Sequence, residues 1–489
     1  MCGVVGAISN SKENLSIEVY RGLLALQHRG QDGAGILSYD DEVGRFYQHK
    51  GRGLVADVFK ENQFSQLSGK IAIGHTRYTT VGSNSLSDLQ PVVQGHPYGL
   101  GIAHNGNTLN YLSLVDYLRM ESGTGFTSCN DIELILYLLG SVMIKSKKHK
   151  PVERLAEAVS SLGEKLNGGY GVVGILGSYG LFAFRDPHGI RPLCLGKRVE
   201  ASGVSYCISS ESVALNYLGF EFVKDIAPGE LLFISKDCEV TSFNFSKKSV
   251  ISRCMFEWVY FASAESSVDS IPVYKARLVM GVILGRRIRK MLERLEIAPD
   301  IVVPVPDTSR TSAISLAETI GIPYRECLIK NRYVHRSFIL SDQEKRESAV
   351  ELKLGPVKSE IIGKNILLVD DSVVRGTTSK RIVSMLKKYG AKKVTLVSTS
   401  PPITHPCFYG VDFPSEKELI ASNKSIDDIA IEIGVDRLIY LEIEELYQAI
   451  GNDLCVGCLN GSYPTSTFEG KTFANHRIKE SKQVAGALI

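Results

Sequence analysis

The sequence predicts two domains of different class, an α+β layered sandwich and then an α/β domain built on a parallel sheet. Three observations predict this. At 489 residues the chain is too long for one hydrophobic core. Before about Lys236 it is rich in short β-type runs broken by glycine, with helical patterns between them. After about Ser249 continuous β-branched runs alternate with helical stretches, as in a parallel sheet covered on both faces. The boundary falls at 236–250, which gives domains at 2–240 and 250–465, and 466–489 reads as a polar, poorly packed tail.

Each element follows from its pattern. IEVYRGLLALQHRG (17–30) has apolar residues at helical spacing and closes on glycine, so it predicts a helix. KIAIGHTRYTT (70–80) and GLGIAHNGN (99–107) predict strands, and NDIELILYLLGSVM (130–143) predicts another helix. YGVVGILG (170–177) and YGLFAFRD (179–186) predict two further strands. In the second half IVVPVPDTS (301–309) opens with a buried-type strand and leads into a helix ending near Ile320. Residues 365–391 repeat that plan, and KKVTLVSTSPPI (392–403) supplies the next strand.

Composition narrows the function classes. The chain is 44% hydrophobic and 22% charged, ordinary for a globular protein, and no apolar run reaches the length of a membrane span. A net charge of +3 argues against a dedicated nucleic-acid surface. The ten cysteines are scattered, and the opening MCGVVGAISN lacks the basic n-region of a secretory signal. Together these predict a cytoplasmic protein whose cysteines are free thiols or metal ligands.

The most specific stretch is LLVDDSVVRGTTSK (367–380). A strand over 365–369 ends at Asp370 and Asp371; a short loop with Gly376 follows, and Thr377, Thr378 and Ser379 open a helix. In an open parallel sheet, ligands sit at the carboxyl ends of the strands. A helix N-terminus offers free N–H groups to a phosphate, and glycine lets backbone approach the anion. Two carboxylates beside a phosphate make sense if they face ribose hydroxyls or hydrated Mg²⁺. The stretch resembles the loop that binds 5-phosphoribosyl 1-diphosphate (PRPP) in type I phosphoribosyltransferases. PVPDTSRTSA (304–313) lies at another strand end, where such enzymes cradle the diphosphate, although Asp307 and Thr308 equally suit a helix cap. KNRYVHRSFI (330–339), with 346–355 behind it, is basic and resembles the loop that closes over PRPP.

Cys2 stands directly behind the initiator methionine. Loss of Met1 would place a thiol and an α-amine on adjacent carbons, and an amine with a pKa of about 7.7–8.0 serves as a base beside a nucleophile. On position alone Cys2 reads as a small residue that permits methionine removal. The stretches LQHRGQDGAGI (26–36), GHTRYTTVG (74–82), AHNGN (103–107) and FRDPHGIRPL (184–193) change that reading. With MCGVVGAI they resemble the glutaminase domain of N-terminal-nucleophile amidotransferases. With the phosphoribosyl loop behind them, residues 2–465 resemble the amidophosphoribosyltransferase family.

The resemblance implies a four-layer αββα sandwich for the first domain. It implies that Cys2 attacks the glutamine amide and that Asn105 and the Gly106 N–H meet the oxyanion. Arg77 would take the glutamine carboxylate, Asp131 its ammonium, and Tyr78 and Thr80 would line the pocket. Taken singly, Arg77 reads as a surface strand residue, Asn105 as a turn residue and Asp131 as a helix N-cap. For PRPP the resemblance implies Asp370, Asp371, Ser372, Arg375, Gly376, Thr377, Thr378 and Lys330, with Mg²⁺ on Thr308, Asp370 and Asp371. It further implies ammonia passed between two sites, 5-phosphoribosylamine as product at the first committed step of purine synthesis, feedback by purine nucleotides and a dimeric or tetrameric assembly.

LCVGC (454–458) is a CxxC, which by itself fits redox chemistry, zinc or chance. Cys254, Cys407, Cys455 and Cys458 match the positions that hold a [4Fe–4S] cluster in one branch of the family; four thiolates suit iron–sulfur or zinc. One departure stands out. The family reads YFARPDS where this chain reads YFASAESS (260–267), with Ser263, Ala264 and Glu265 in place of Arg, Pro and Asp.

Overall fold

Strand Gly3–Ser9 shows why the first half forms layers. Val5 and Ala7 join one buried cluster while Val4 and Ile8 join another, the two-residue alternation of a strand with both faces covered. The strand lies in a seven-stranded antiparallel sheet, in the order Glu221–Asp225, Cys194–Glu200, Gly203–Ser209, Gly3–Ser9, Ile71–Arg77, Gly33–Asp40, Arg45–Arg52. Val4 and Ile8 meet Ala103, Val173, Ile175 and Leu181 of a second, six-stranded antiparallel sheet. That sheet runs Val240–Asn244, Glu230–Ser235, Gly180–Arg185, Gly168–Leu176, Leu100–Thr108, Val92–Gln94. Helices Ser16–Ala25 and Ser212–Tyr217 cover the outer face of the first sheet. Helices Tyr111–Ser122, Asp131–Lys145 and Pro151–Lys165 cover the second, completing the αββα order. This computed structural model describes every residue except 12–13, 80–84, 247–249, 332–353, 414 and 487–489, and side chains as far as residue 476.

The second half is a four-stranded parallel sheet in the order Ile301–Pro304, Asn365–Asp370, Lys393–Ser398, Arg437–Tyr440. Val302, Leu367 and Val369 face helices Val273–Glu293 and Arg310–Ile320. Val303, Ile366 and Leu368 face helices Thr377–Lys388 and Ile426–Ile433. Both faces are therefore apolar, which is why these strands read as unbroken β-branched runs. The two halves share one core: Leu109 and Ile190 of the first pack with Met255, Trp258 and Phe408 of the second.

Three local expectations change. The helix read from 17–30 ends at Ala25, and Gln27–Arg29 turn as a 3₁₀ segment that carries Arg29 into the interior. Asp131 is the first helical residue and not the cap; Asn130 caps that helix by accepting from the Ile132 N–H at 3.3 Å. The stretch after 466 forms helix Thr467–Gly486, and Phe473 and Ala474 are buried in the shared core. Its apolar residues are too sparse to show as a periodic pattern, yet they have a surface to pack on.

Candidate functional site

Cys2 sits half-buried at the head of strand Gly3–Ser9. Pairing of Gly3 with Thr76 in the adjacent strand brings Tyr78 beside it. The Tyr78 N–H lies 3.5 Å from Cys2 Sγ, and the Tyr78 carbonyl oxygen 3.6 Å from it. Asn105 arrives from the other sheet, on strand Leu100–Thr108, and its Oδ1 accepts from the Cys2 N–H at 3.2 Å. Asn105 is buried, and its Nδ2 has no hydrogen-bond partner among the described residues, which leaves a desolvated donor next to Cys2. Gly106 follows at φ +149°, where an added Cβ would lie 2.0 Å from the Gly169 carbonyl oxygen. An orphaned donor of this kind is what a developing oxyanion uses.

Arg77 ends strand Ile71–Arg77, is buried, and donates from Nη1 to the Asp88 carbonyl at 2.7 Å. Asp131 is buried, accepts from the Thr108 N–H at 2.8 Å and faces His104 Nε2 at 3.3 Å. Burial opposes its ionisation, but His104 and the Thr108 N–H hold the carboxyl below the usual range, with Arg77 within electrostatic reach. Sequence reasoning passed over His104, although it stands next to Asn105 in AHNGN; its role at Asp131 depends on a helix folded in from residue 131. Thr80 lies outside the described residues.

In the second half Asp370 ends its strand, and the Asp371 N–H donates to Asp370 Oδ1 at 2.9 Å. Ser372 Oγ donates to Asp371 Oδ1 at 2.8 Å. Burial, then the neighbouring Asp371, pushes Asp370 well above the ordinary carboxylate range. Burial pushes Asp371 up to about 6 against the pull of Ser372 and Arg277. Gly376 caps helix Thr377–Lys388 at φ +72°, so Thr377 and Thr378 open a helix N-terminus at the carboxyl end of the sheet. Arg375 is turned onto Glu418, at 2.6 and 2.9 Å. Thr308 lies in the turn after the neighbouring strand, and beside it Lys330 Nζ donates to Asp307 Oδ2 at 2.7 Å. The basic stretch behind Lys330 falls largely outside the described residues.

One cavity of about 430 Å³ is lined from both halves. Gly30, Gln31 and Tyr78 line it from the first half, and Asp370, Asp371 and Thr377 from the second. Tyr78, whose backbone touches the Cys2 thiol, therefore shares a space with the acid pair.

The remaining sequence candidates also meet. The short parallel pairing of Arg253–Cys254 with Leu454–Cys455 sets Cys254 opposite Cys455. Burial pushes the Cys254 thiol up to about 11, and Cys455 and Cys458 further. Each of these three thiols is raised further by nearby cysteines of the same quartet, while Arg191 opposes the rise at Cys254 and Cys455. Cys407 Sγ accepts from the Tyr409 N–H at 3.4 Å. Among the described residues no three His, Cys, Asp or Glu side chains close to the spacing of a single metal ion.

Known proteins share this arrangement of halves. The Glutamine amidotransferase domain family matches residues 75–217, and the Phosphoribosyl transferase domain family matches residues 280–400. An amidophosphoribosyltransferase from Methanocaldococcus jannaschii is 45% identical over 482 residues, 95% of this chain and 98% of that protein. One from Haemophilus influenzae is 43% identical over 451 residues, 92% of this chain and 89% of that protein. The chain belongs to the amidophosphoribosyltransferase family. The solved glutamine PRPP amidotransferase from B. subtilis, complexed with ADP and GMP, superposes with a TM-score of 0.83 at 37% identity, covering 95% of this chain and 98% of that one. As an amidophosphoribosyltransferase, the chain is an enzyme of glutamine-dependent PRPP amidotransfer in purine biosynthesis. The first half carries a thiol beside an amide donor that has no hydrogen-bond partner among the described residues, and the second a carboxylate pair beside a helix N-terminus.

Proposed function

We propose that Cys2, freed of Met1, cleaves the glutamine side-chain amide and that the released ammonia crosses the shared cavity to displace diphosphate from C1 of PRPP. The observation that carries this is Tyr78, which touches the thiol through its backbone and lines the cavity that also holds Asp370 and Asp371. The thiol attacks the amide carbon, Asn105 Nδ2 and the Gly106 N–H receive the oxyanion, and Arg77 and Asp131 anchor the amino-acid end of glutamine. With Met1 in place, burial pushes the Met1 α-amine down to about 5, against the opposing pull of Cys2 and with Arg191 and Arg29 adding to the fall. A closed route keeps ammonia from the bulk water that would protonate it.

PRPP is held by Ser372, Gly376, Thr377 and Thr378 at its 5-phosphate, with Arg375 in the same loop, the acid pair at the ribose, and Lys330 approaching from beside Asp307. Two adjacent carboxylates, Asp370 buried and Asp371 half-buried, both with raised pKa values, suit a hard cation, so Asp370, Asp371 and Thr308 would hold Mg²⁺. When bound it supplies charge neutralisation to the departing diphosphate. Cys254, Cys407, Cys455 and Cys458 are close enough to act on one another electrostatically, and the first three are buried. Arg191, whose Nη1 also faces Glu257 at 3.5 Å, lies within electrostatic reach of Cys254 and Cys455. That setting suits an anionic [4Fe–4S] centre, which these four cysteines would hold and which would tie the start of the second half to its end. No helix among the described residues is long and apolar enough to cross a membrane, and a cytoplasmic location fits free thiols. Purine nucleotides as feedback ligands and a homo-oligomer are part of the same reading; the B. subtilis relative was solved with ADP and GMP.

The test is a purified-protein assay of glutamate release with and without PRPP, with diphosphate measured in parallel. Cys2→Ala should abolish the glutamine-dependent reaction and spare synthesis from concentrated ammonia. An active enzyme whose intact mass retains Met1 would sink the α-amine mechanism.

A further inference from the structure

Arg29 is buried, and its guanidinium reaches three places at once. Nε donates to the Cys2 carbonyl at 3.0 Å. Nη2 and Nη1 donate to the two carboxylate oxygens of Glu257 at 2.8 and 3.0 Å, and Nη1 also donates to Glu211 Oε1. Glu211 belongs to the first half, but Glu257 belongs to the second, where it opens the helical turn Glu257–Phe261. Arg191 Nη1 stands 3.5 Å from the same Glu257. Two guanidiniums and two carboxylates thus meet in a buried cluster against Cys2, with His28 Nε2 facing Glu211 Oε1 at 2.9 Å. Burial alone would weaken the Arg29 charge, but Glu257 and Glu211 hold it ionised.

We propose that Arg29 is the positioning residue of the nucleophile and that Glu257, supplied by the other half of the chain, holds Arg29 in place. The inference rests on the reading of Cys2 as nucleophile. A terminal residue is attached through a single peptide bond, so the direction of its carbonyl fixes rotation about Cα–C. That rotation decides where Sγ and the α-nitrogen point. Arg29 grips the carbonyl, and Gly3 fixes the other side of the bond by donating to Thr76 Oγ1 at 3.2 Å. Only a planar fork can hold one carboxylate with two nitrogens and offer a third to a carbonyl; an ammonium cannot. Both side chains of the Arg29–Glu257 pair are shut off from solvent, so a lost partner is not replaced by bulk water. The glutaminase chemistry is therefore incomplete without a side chain from the phosphoribosyl half.

Glu257→Gln keeps the shape and removes the charge. The expected result is a fall in glutaminase kcat of about tenfold to a hundredfold with KM for glutamine changed less than about twofold, while ammonia-dependent synthesis stays within about twofold of wild type. The pH profile of Cys2 alkylation by iodoacetamide should move in the same variant, which a purely structural role would not cause. Arg29→Lys should reproduce the kcat loss, because a single ammonium cannot serve both partners. Wild-type glutaminase kcat and an unmoved alkylation profile in Glu257→Gln would overturn the proposal, as would an equal fall of the glutamine and ammonia rates. If Cys2→Ala retained glutaminase activity, the reading of Cys2 itself would fall, a result separable from full activity in Glu257→Gln alone.

Discussion

Asn105 and Asp131 show how much at this site depends on single polar atoms. Asn105 binds the Cys2 N–H through oxygen and leaves its nitrogen without a partner among the described residues, a cost that the proposed oxyanion would offset. Asn105→Ala should therefore lower glutaminase kcat by about 10²–10³, the usual loss for one oxyanion donor, with a smaller change in KM. Steady-state kinetics with saturating PRPP would check it, and an unchanged kcat would remove Asn105 from the oxyanion site. Asp131 makes a second kind of statement. Its folded pKa is lowered, so it contributes stability that is fully present above the unfolded carboxylate value of about 3.9 and is lost as pH falls through the folded value. The melting temperature of wild type should drop below about pH 4. Asp131→Asn should melt lower at pH 7 and lose less on acidification, and parallel curves for the two proteins would rule this out.

At the scale of elements, the decisive unit is strand Asn365–Asp370, its loop and helix Thr377–Lys388. The strand is buried on both faces, so the loop that follows is held rigidly at the sheet's carboxyl end. Gly376 makes the last turn into the helix at φ +72°, and a Cβ there would lie 2.3 Å from Ile420 Cδ1. Gly376→Ala should cost about 1–2 kcal/mol for the left-handed conformation. It should lower glutamine- and ammonia-dependent synthesis together, because both use PRPP. Adding Ile420→Ala should relieve the clash but not the backbone strain. Loss of the glutamine rate alone would show that the loop does not serve PRPP. The turn Glu257–Phe261 is the matching unit on the other side of the cavity: Phe256, Tyr260 and Phe261 line the cavity while Glu257 faces inward to Arg29.

At the scale of the whole molecule, the cysteine quartet joins segments about two hundred residues apart in the chain, from Cys254 to Cys458. A shared inorganic centre there would stabilise chiefly by restricting the unfolded chain, by on the order of several kcal/mol. Cys407→Ser should lower melting temperature and protease resistance, with iron and acid-labile sulfide falling from about four each per chain. Protein purified without oxygen that holds neither iron nor sulfide would reject the centre and leave both chemical sites as described. Zinc at one per chain without sulfide would replace it by a four-cysteine zinc site.

What the sequence by itself determined was the material with short-range grammar. Short β-type apolar runs marked the strands of both halves, and an acid pair, a glycine and three hydroxyls within ten residues marked the phosphate-type loop. Cys2, Arg77, Asn105 and Asp131 were proposed as a set because they stand in recognisable stretches. Only the tertiary structure decided the rest. Arg29, Glu211 and Glu257 read in the sequence as ordinary charged residues, since nothing local distinguishes a buried ion pair from a solvated one; their partners lie 182 and 228 positions from Arg29. The helix after Thr467 looked polar because its buried apolar residues among those described, Phe473 and Ala474, are too few to form a pattern, yet they have a surface to pack on once Phe408 packs against Gly470. The shared cavity is the strongest case, because the closeness of Tyr78 to Asp371 is a property of how two cores pack and of no segment within either.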